Sequence, residues 1–438
     1  MQNPLKNLDQ FSKNIVIVFL GTSLANFLNL LYQLLIAHKL SISEFAAFNT
    51  LLSIFILISC SLGTLQLAVA KYCAEFNAQN QINKTKFLLS EFFRKAIILS
   101  LVTLLILWVL SLNIINILKI PSKSCGYLLA GALALSWILP VLLGGVQGLE
   151  LFGWYAFTYV IMGALKLTLA FIFIALGFNI SGALGALLAS SLIGIIILYF
   201  PLRRFLFIKK AREGADYIDY KEIFLYLFPL AISYFCFYAL VSFDMVLVRY
   251  FFLPQDSGLY ALAQMLGKIF LFLPMAISIV MFPKTSGLKA KNMDTTSTLK
   301  RSLLYTAILC IIAGLVYNLF PALILKLLTG KVYLESIALG RLFSISMSFF
   351  TLLFILISYF LSLKDLRFIK YLILFAFLQF FAIILFHRNL IQIQLVLCIN
   401  AILLFFIHLF LVYKKAPDPF LIKKAPDPFL FCKNKFKE

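Results

Sequence analysis

Residues 154–176 read WYAFTYVIMGALKLTLAFIFIAL, an apolar run interrupted by one charge, Lys166. About 20 such residues in a helix cross the roughly 30 Å of hydrocarbon in a bilayer, so the run predicts a membrane-spanning helix. Comparable runs occupy 15–37, 45–68, 96–117, 127–147, 180–200, 223–249, 258–282, 303–325, 338–361, 368–386 and 390–412. Composition points the same way: 63% of the 438 residues are apolar and 13% charged, against about 45–50% and 25% in soluble domains. The sequence therefore predicts an all-α polytopic membrane protein of about twelve transmembrane helices. It excludes a water-soluble fold, since no such fold hides this much apolar surface. The run at 15–37 is too long for a signal-peptide core and has no small-residue cleavage site, so it reads as the first span.

The formal net charge is +21, from 38 Lys+Arg and 17 Asp+Glu. In a soluble chain that balance suggests nucleic acid. Here the bases alternate in density between the two sets of loops. With the N-terminus inside, 28 of the 38 fall in inner segments and 7 in outer ones, the rest being Lys166, Lys268 and Arg341 within spans. This bias predicts an N-in, C-in topology and accounts for the charge without nucleic acid. The longest inner loops are 69–95, 201–222 and 283–302. Their bases suit anionic membrane lipid, with docking of partner enzymes as the second reading. The tail repeats with period nine from Lys414-Lys415-Ala416-Pro417-Asp418-Pro419-Phe420-Leu421 to Lys423-Lys424-Ala425-Pro426-Asp427-Pro428-Phe429-Leu430, a basic, proline-rich extension. The seven cysteines form no CxxC pair and the three histidines no cluster, so neither a disulfide framework nor a metal site is expected, and no cofactor.

Glu44-Phe45-Ala46-Ala47-Phe48 and Asp256-Ser257-Gly258-Leu259-Tyr260 each follow a span through a very short polar turn and open the next span. Their offset is six spans, which preserves orientation. Two parallel six-helix lobes are expected: 1–200, an inter-lobe loop at 201–222, then 223–412, followed by the tail at 413–438. Transporters built from repeats commonly bind substrate near the midplane between them.

The polar residues inside the spans are the candidate site. A charge at a helix centre costs about 2.5–3.5 kcal/mol on insertion scales. Lys166 and Lys268 together cost on the order of 5–7 kcal/mol, which requires either partner groups or a hydrated cavity. Tyr260, Gln264 and Lys268 recur every four residues and share one helical face, whereas the equivalents in the first repeat, Phe48, Leu52 and Ile56, are apolar. Asn26, Asn29 and Gln33 stripe the first span, and Tyr234, Tyr238 and Asp244 lie in the seventh. The Asn and Gln residues suit interhelical hydrogen bonds or a cavity wall equally. Asp244 is a candidate for a coupling cation or proton, or for an ion pair with Arg249 or a lysine. Arg249 and Arg341 sit at outer span ends, where snorkelling to the interface is the simpler expectation. Pro140, Pro229 and Pro274 interrupt spans.

The stretch Phe243-Asp244-Met245-Val246-Leu247-Val248-Arg249, through Gly258-Leu259-Tyr260-Ala261 to Phe282-Pro283-Lys284, resembles the span 7–8 signature of bacterial polysaccharide transporters. These are the Wzx-type O-antigen and capsule repeat-unit flippases of the multidrug/oligosaccharidyl-lipid/polysaccharide exporter superfamily. Gly144-Gly145-Val146-Gln147-Gly148, Lys166-Leu167 and Gly182-Ala183-Leu184-Gly185-Ala186 are similar to their spans 4–6, and Leu40-Ser41-Ile42-Ser43-Glu44-Phe45 to their first outer turn. Ala46-Ala47, where a glycine is frequent, and Lys39, near a frequent arginine, depart from the pattern. The resemblance implies two six-helix lobes around a cavity that opens alternately to each side of a bacterial cytoplasmic membrane. It implies a cargo of undecaprenyl-diphosphate-linked oligosaccharide, with polysaccharide assembly proteins as further partners. On that reading Lys268 is the leading cationic anchor for the diphosphate, and Tyr260, Gln264, Asn26, Asn29 and Gln33 meet the sugars.

Two other functions were weighed. A cation-coupled multidrug or metabolite antiporter needs an anionic cavity, but the deep charges are mainly basic. A membrane-embedded polymerase or glycosyltransferase needs a catalytic loop or domain. The outer loops are short, and neither a Ser-His-Asp set nor a phosphate-binding loop occurs, so no catalytic residue is expected.

Overall fold

A backbone without water must satisfy its own N–H and C=O groups, and the helix does so within one segment. The computed structural model of the chain describes residues 10–206, 220–272, 275–290, 293–330 and 333–414, and all their regular structure is helical. In order the helices are α1 Gln10–Lys39, α2 Ile42–Leu62, α3 Thr64–Ala78, α4 Ile82–Ile117, α5 Ser124–Gly148, α6 Phe152–Ala175, α7 Asn179–Leu206, α8 Tyr220–Phe251, α9 Pro254–Phe272, α10 Met275–Ala290, α11 Thr296–Leu319, α12 Pro321–Thr329, α13 Leu334–Ser362, α14 Ile369–Leu385 and α15 Leu390–Tyr413. Most of the 201–222 loop, Pro274 and nearly all of the tail repeat lie outside the described residues.

Ten of the expected spans coincide with helices long and apolar enough to cross a membrane. Of the other two, 258–282 is divided between α9 and α10, and 368–386 is α14, 17 residues long, or about 25 Å at 1.5 Å per residue. Three expected features are corrected. The basic loops at 69–95 and 283–302 are largely helical, because α3, α4, α10 and α11 run on through them. Lysine and arginine are good helix formers once the chain is in water. The span expected at 303–325 stops at Leu319. Pro321 lacks the N–H to continue the ladder and instead opens α12 at its first turn. Finally, α2 and α3 form one path joined at Gly63, whose backbone is itself helical.

Two packing groups emerge. Within the first, α1 packs on α6, α6 on α7, and α5 on α3, α4 and α7. Within the second, α13 packs on α9, α10, α11 and α15, and α14 on α8. The groups meet chiefly where α2 lies against α8 and α9. Gly144 and Gly148 bring α5 onto α3. A Cβ on Gly148 stands 2.5 Å from the Cys73 Cβ and 2.7 Å from the Ala70 carbonyl oxygen, and one on Gly144 stands 2.6 Å from the Gln66 carbonyl oxygen. This is the small-residue spacing that lets membrane helices touch backbone to backbone.

One end of the bundle collects the tight turns. Ser41 caps α2 in a reciprocal box with Glu44, which also accepts a 2.7 Å bond from Asn179 at the start of α7. The opposite end carries the basic segments, where Arg367 bonds Asp365 and the Lys414 carbonyl. These are called below the turn end and the basic end. Leu101, Leu105, Trp108 and Val109 of α4 are exposed, the apolar face that a bilayer would cover.

Candidate functional site

A cavity of about 270 Å³ lies among α1, α2, α3, α5, α6 and α7. Its polar lining includes Asn29, Ser59, Gln66, Ser136, Tyr159 and Lys166, and no carboxylate is among its lining residues. Pro140 also lines it. Having no N–H, it leaves the Ser136 carbonyl without its ladder donor, at the cavity wall. The Lys166 ammonium sits 4.8 Å from the centre of the Tyr32 ring, a cation–π arrangement. The Tyr32 hydroxyl donates to the Ala183 carbonyl at 2.9 Å, which fixes the ring beneath the lysine. Toward the basic end, the Gln66 amide donates to Gln147 Oε1 at 3.0 Å and reaches the Tyr155 hydroxyl at 3.3 Å.

The second polar centre is in the C-terminal group. Asp244 of α8 is fully buried. Its carboxylate accepts from the Tyr260 hydroxyl at 2.7 Å and from the Gln264 amide at 2.9 Å. Lys268, half-buried one turn further along α9, is electrostatically coupled to Asp244. The i, i+4, i+8 face of α9 therefore converges on a single carboxylate. Gln394 of α15 stands 3.4 Å from the Tyr260 hydroxyl and donates to Ser346 of α13 at 2.7 Å. The buried Gln264 Oε1 has no hydrogen-bond partner among the described residues.

The expected site residues thus separate into two groups. Tyr260, Gln264, Lys268 and Asp244 come together in one centre. Asn29 and Lys166 line the cavity of the other. The stripe Asn26, Asn29, Gln33 is divided: Asn26 is exposed, and Gln33 is half-buried with its Oε1 unpartnered among the described residues. Arg341 is exposed at the start of α13, as snorkelling requires. Arg249 departs from expectation. Instead of snorkelling it is 1% exposed and donates to the carbonyls of Leu118 and Lys119. Sequence reading also missed Gln394, Ser346, Ser136 and Tyr159. Serines and lone glutamines are common in membrane helices, and only the tertiary fold tells which face inward.

The helical bundle is similar in fold to solved transporters of the MOP superfamily. The chain is similar to a multidrug resistance MATE family transporter of that superfamily in its inward-facing conformation: 14% identity over 92% of this chain and 96% of that one, TM-score 0.71. It is as similar to the lipid II flippase MurJ in an inward closed conformation: 16% identity, 93% and 89% coverage, TM-score 0.71. A MOP superfamily transporter from Pyrococcus furiosus, described as having a binding pocket of reverse polarity, follows at 14% identity, 92% and 95% coverage and TM-score 0.61. At these identities the likeness is one of fold. No curated protein gives a significant match. Residues 11–289 match the polysaccharide biosynthesis protein family, and the chain belongs to it. The family match and the fold of these neighbours agree with the resemblance noted in the sequence.

Proposed function

We propose that this multi-pass membrane protein is a flippase. On this reading it moves prenyl-diphosphate-linked oligosaccharide across a bacterial cytoplasmic membrane by alternating access, for surface polysaccharide assembly, with both termini inside. The observation that carries this is Lys166, a cation that lines a cavity without a carboxylate in its wall and rests on an aromatic face. An ammonium inside the bundle with no carboxylate among the residues lining its cavity is expensive, and a phosphate entering the cavity supplies a counter-ion. Lysine binds phosphate as a point charge. The surrounding serine and tyrosine hydroxyls and the Asn29 amide suit phosphate oxygens and sugar hydroxyls. At about 270 Å³ the cavity has room for a diphosphate and part of one sugar. The rest of the glycan then lies between the two helix groups and the prenyl chain in the bilayer.

Lys268 is the other deep cation, and it lies one turn along α9 from groups that bond a carboxylate, that of Asp244, which offsets part of its charge. We therefore assign the primary anchor to Lys166 and a supporting role to the Asp244–Lys268 centre, with Tyr260 and Gln264 holding the carboxylate. The same charge logic weighs against a carrier of cationic drugs, which needs an unpaired carboxylate in the cavity.

The test is translocation of a short-chain prenyl-diphosphate oligosaccharide by the protein in liposomes. Wild type and Lys166→Arg should transport, and Lys166→Gln should lose at least about tenfold, the effect of roughly 1.4 kcal/mol of lost binding. Efflux of cationic dyes without flipping would overturn the proposal. Flipping unchanged by Lys166→Gln, at equal folded protein, would keep the function and remove the anchor.

A further inference from the structure

At the turn end, α4 finishes at Ile117, and the N–H groups of Leu118, Ile120 and Lys119 take the carbonyls of Ile114, Ile115 and Asn116. The C-terminus of a helix also carries partial negative charge. Lys119, just beyond, is in the left-handed conformation at φ 50°. The group that meets the next carbonyls, those of Leu118 and Lys119 just past the helix, comes from the other half of the chain. Arg249, near the end of α8, donates Nε to the Leu118 oxygen at 2.9 Å and Nη2 to the Lys119 oxygen at 2.7 Å. The Lys119 ammonium returns a 3.5 Å bond to the Tyr250 carbonyl. Nη1 of Arg249 is buried and has no hydrogen-bond partner among the described residues.

The two groups are also closed beside this bond. A Cβ on Gly258 stands 2.1 Å from Ile42 Cγ2 and 2.5 Å from the Ile42 carbonyl oxygen, so the N-terminus of α9 rests on that of α2 backbone to backbone. Phe45 through Ser53 of α2 are buried, as are Ser257 and Tyr260 of α9. Glu44 and Asp256 lie in the first turns of α2 and α9 beside this closure and Lys119 borders it, but of these charged groups only Arg249 is fully buried.

We propose that Arg249 is a latch: it holds the turn end shut by capping α4 across the lobe boundary, and it must release for the cargo path to open there. The inference rests on the alternating-access reading above. The bond suits a latch because each part of the guanidinium that leaves a carbonyl can be hydrated as the gap opens. An apolar plug has no such compensation. A packing role alone predicts loss of fold without a change in accessibility.

The probe is Ser257→Cys, a fully buried position beside Gly258. Its maleimide labelling rate is measured in purified full-length protein, after subtracting labelling of the chain without the added cysteine. With Arg249→Met the rate should rise at least about tenfold, equivalent to roughly 1.4 kcal/mol. Arg249→Lys keeps the charge, loses the fork, and should fall between; it also serves if the methionine variant does not fold. Unchanged labelling in a folded Arg249→Met or Arg249→Lys protein would overturn the latch.

A second arm joins Lys119→Cys to Tyr250→Cys with a bifunctional thiol reagent, leaving Arg249 in place. Cross-linking should stop translocation, and cleaving the link should restore it. Translocation that survives cross-linking would refute opening at this end, and with it both the latch and the alternating-access reading. A blocked cross-linked protein with unchanged labelling in the Arg249 variants would refute the latch alone.

Discussion

Replacing Asp244 by Asn, alone and together with Lys268→Met, separates a paired charge from a free anchor. Asp244 is fully buried and holds three groups: the Tyr260 hydroxyl at 2.7 Å, the Gln264 amide at 2.9 Å and, electrostatically, Lys268. Asp244→Asn leaves the Lys268 ammonium without a counter-charge inside the bundle. Breaking a fully buried pair costs about 3–5 kcal/mol, the upper bound here because Lys268 is half-buried. Lys268→Met leaves the carboxylate with its hydroxyl and amide donors. Hydrogen bonds to a charged group contribute about 1.5–3 kcal/mol each, so this loss should be smaller, on the order of 1–3 kcal/mol. Independent sites would then sum to about 4–8 kcal/mol. The double variant strands no charge and should cost no more than about 2–4 kcal/mol, a coupling of at least ~2 kcal/mol against the few tenths expected of independent sites. The assay is reversible unfolding in a mild detergent, with the four proteins in one cycle. Additive losses within about 0.5 kcal/mol would refute the pairing and return Lys268 to the role of a free cation.

Two further outcomes follow from the packing and the loops. Gly148→Leu drives a side chain into the Ala70 carbonyl and the Cys73 Cβ, neither of which can swing away, and should cost about 1–3 kcal/mol or more; size-exclusion yield should collapse, whereas Gly153→Ala, with nothing within 4 Å, should behave as wild type. At the basic end, burial alone would raise the Asp365 carboxyl, but the guanidinium and the backbone N–H of Arg367 outweigh it and hold it below its ordinary value. Its contribution is therefore present above the ordinary carboxylate range and is lost as pH falls below it. Asp365→Asn should lower stability at pH 7 by about 0.2–1 kcal/mol and flatten the profile below pH 4 in thermal unfolding.

The class of fold was legible because hydrocarbon allows so few backbone solutions. A run such as 390–412 has one reading, and α15 covers it. Helix ends were less legible, since α3 and α11 extend into water on residues that a hydropathy pattern assigns to loops. Ser41 and Glu44, just before the span expected at 45–68, look like a polar turn; only their reciprocal bonds identify a cap. Part of the candidate site followed from helical geometry alone: Tyr260, Gln264 and Lys268 share a face because four residues make about one turn. What that face meets depends on how α8 and α15 pack, and a one-dimensional pattern holds no record of it. Asn26 illustrates this: it sits one turn from Asn29 yet outside the bundle. Arg249 was misread for a related reason. A span-end arginine snorkels by default, and its actual partners are carbonyls, which every residue possesses.

That last property has an evolutionary side. The receiving partner of Arg249 is main chain at 118 and 119, so substitutions there leave both acceptors in place. All the selective constraint on the contact falls on one codon. This contact alone therefore places no constraint on the side chains at 118 and 119, and a pair made this way is expected to leave no covariation, although it joins the two halves of the molecule.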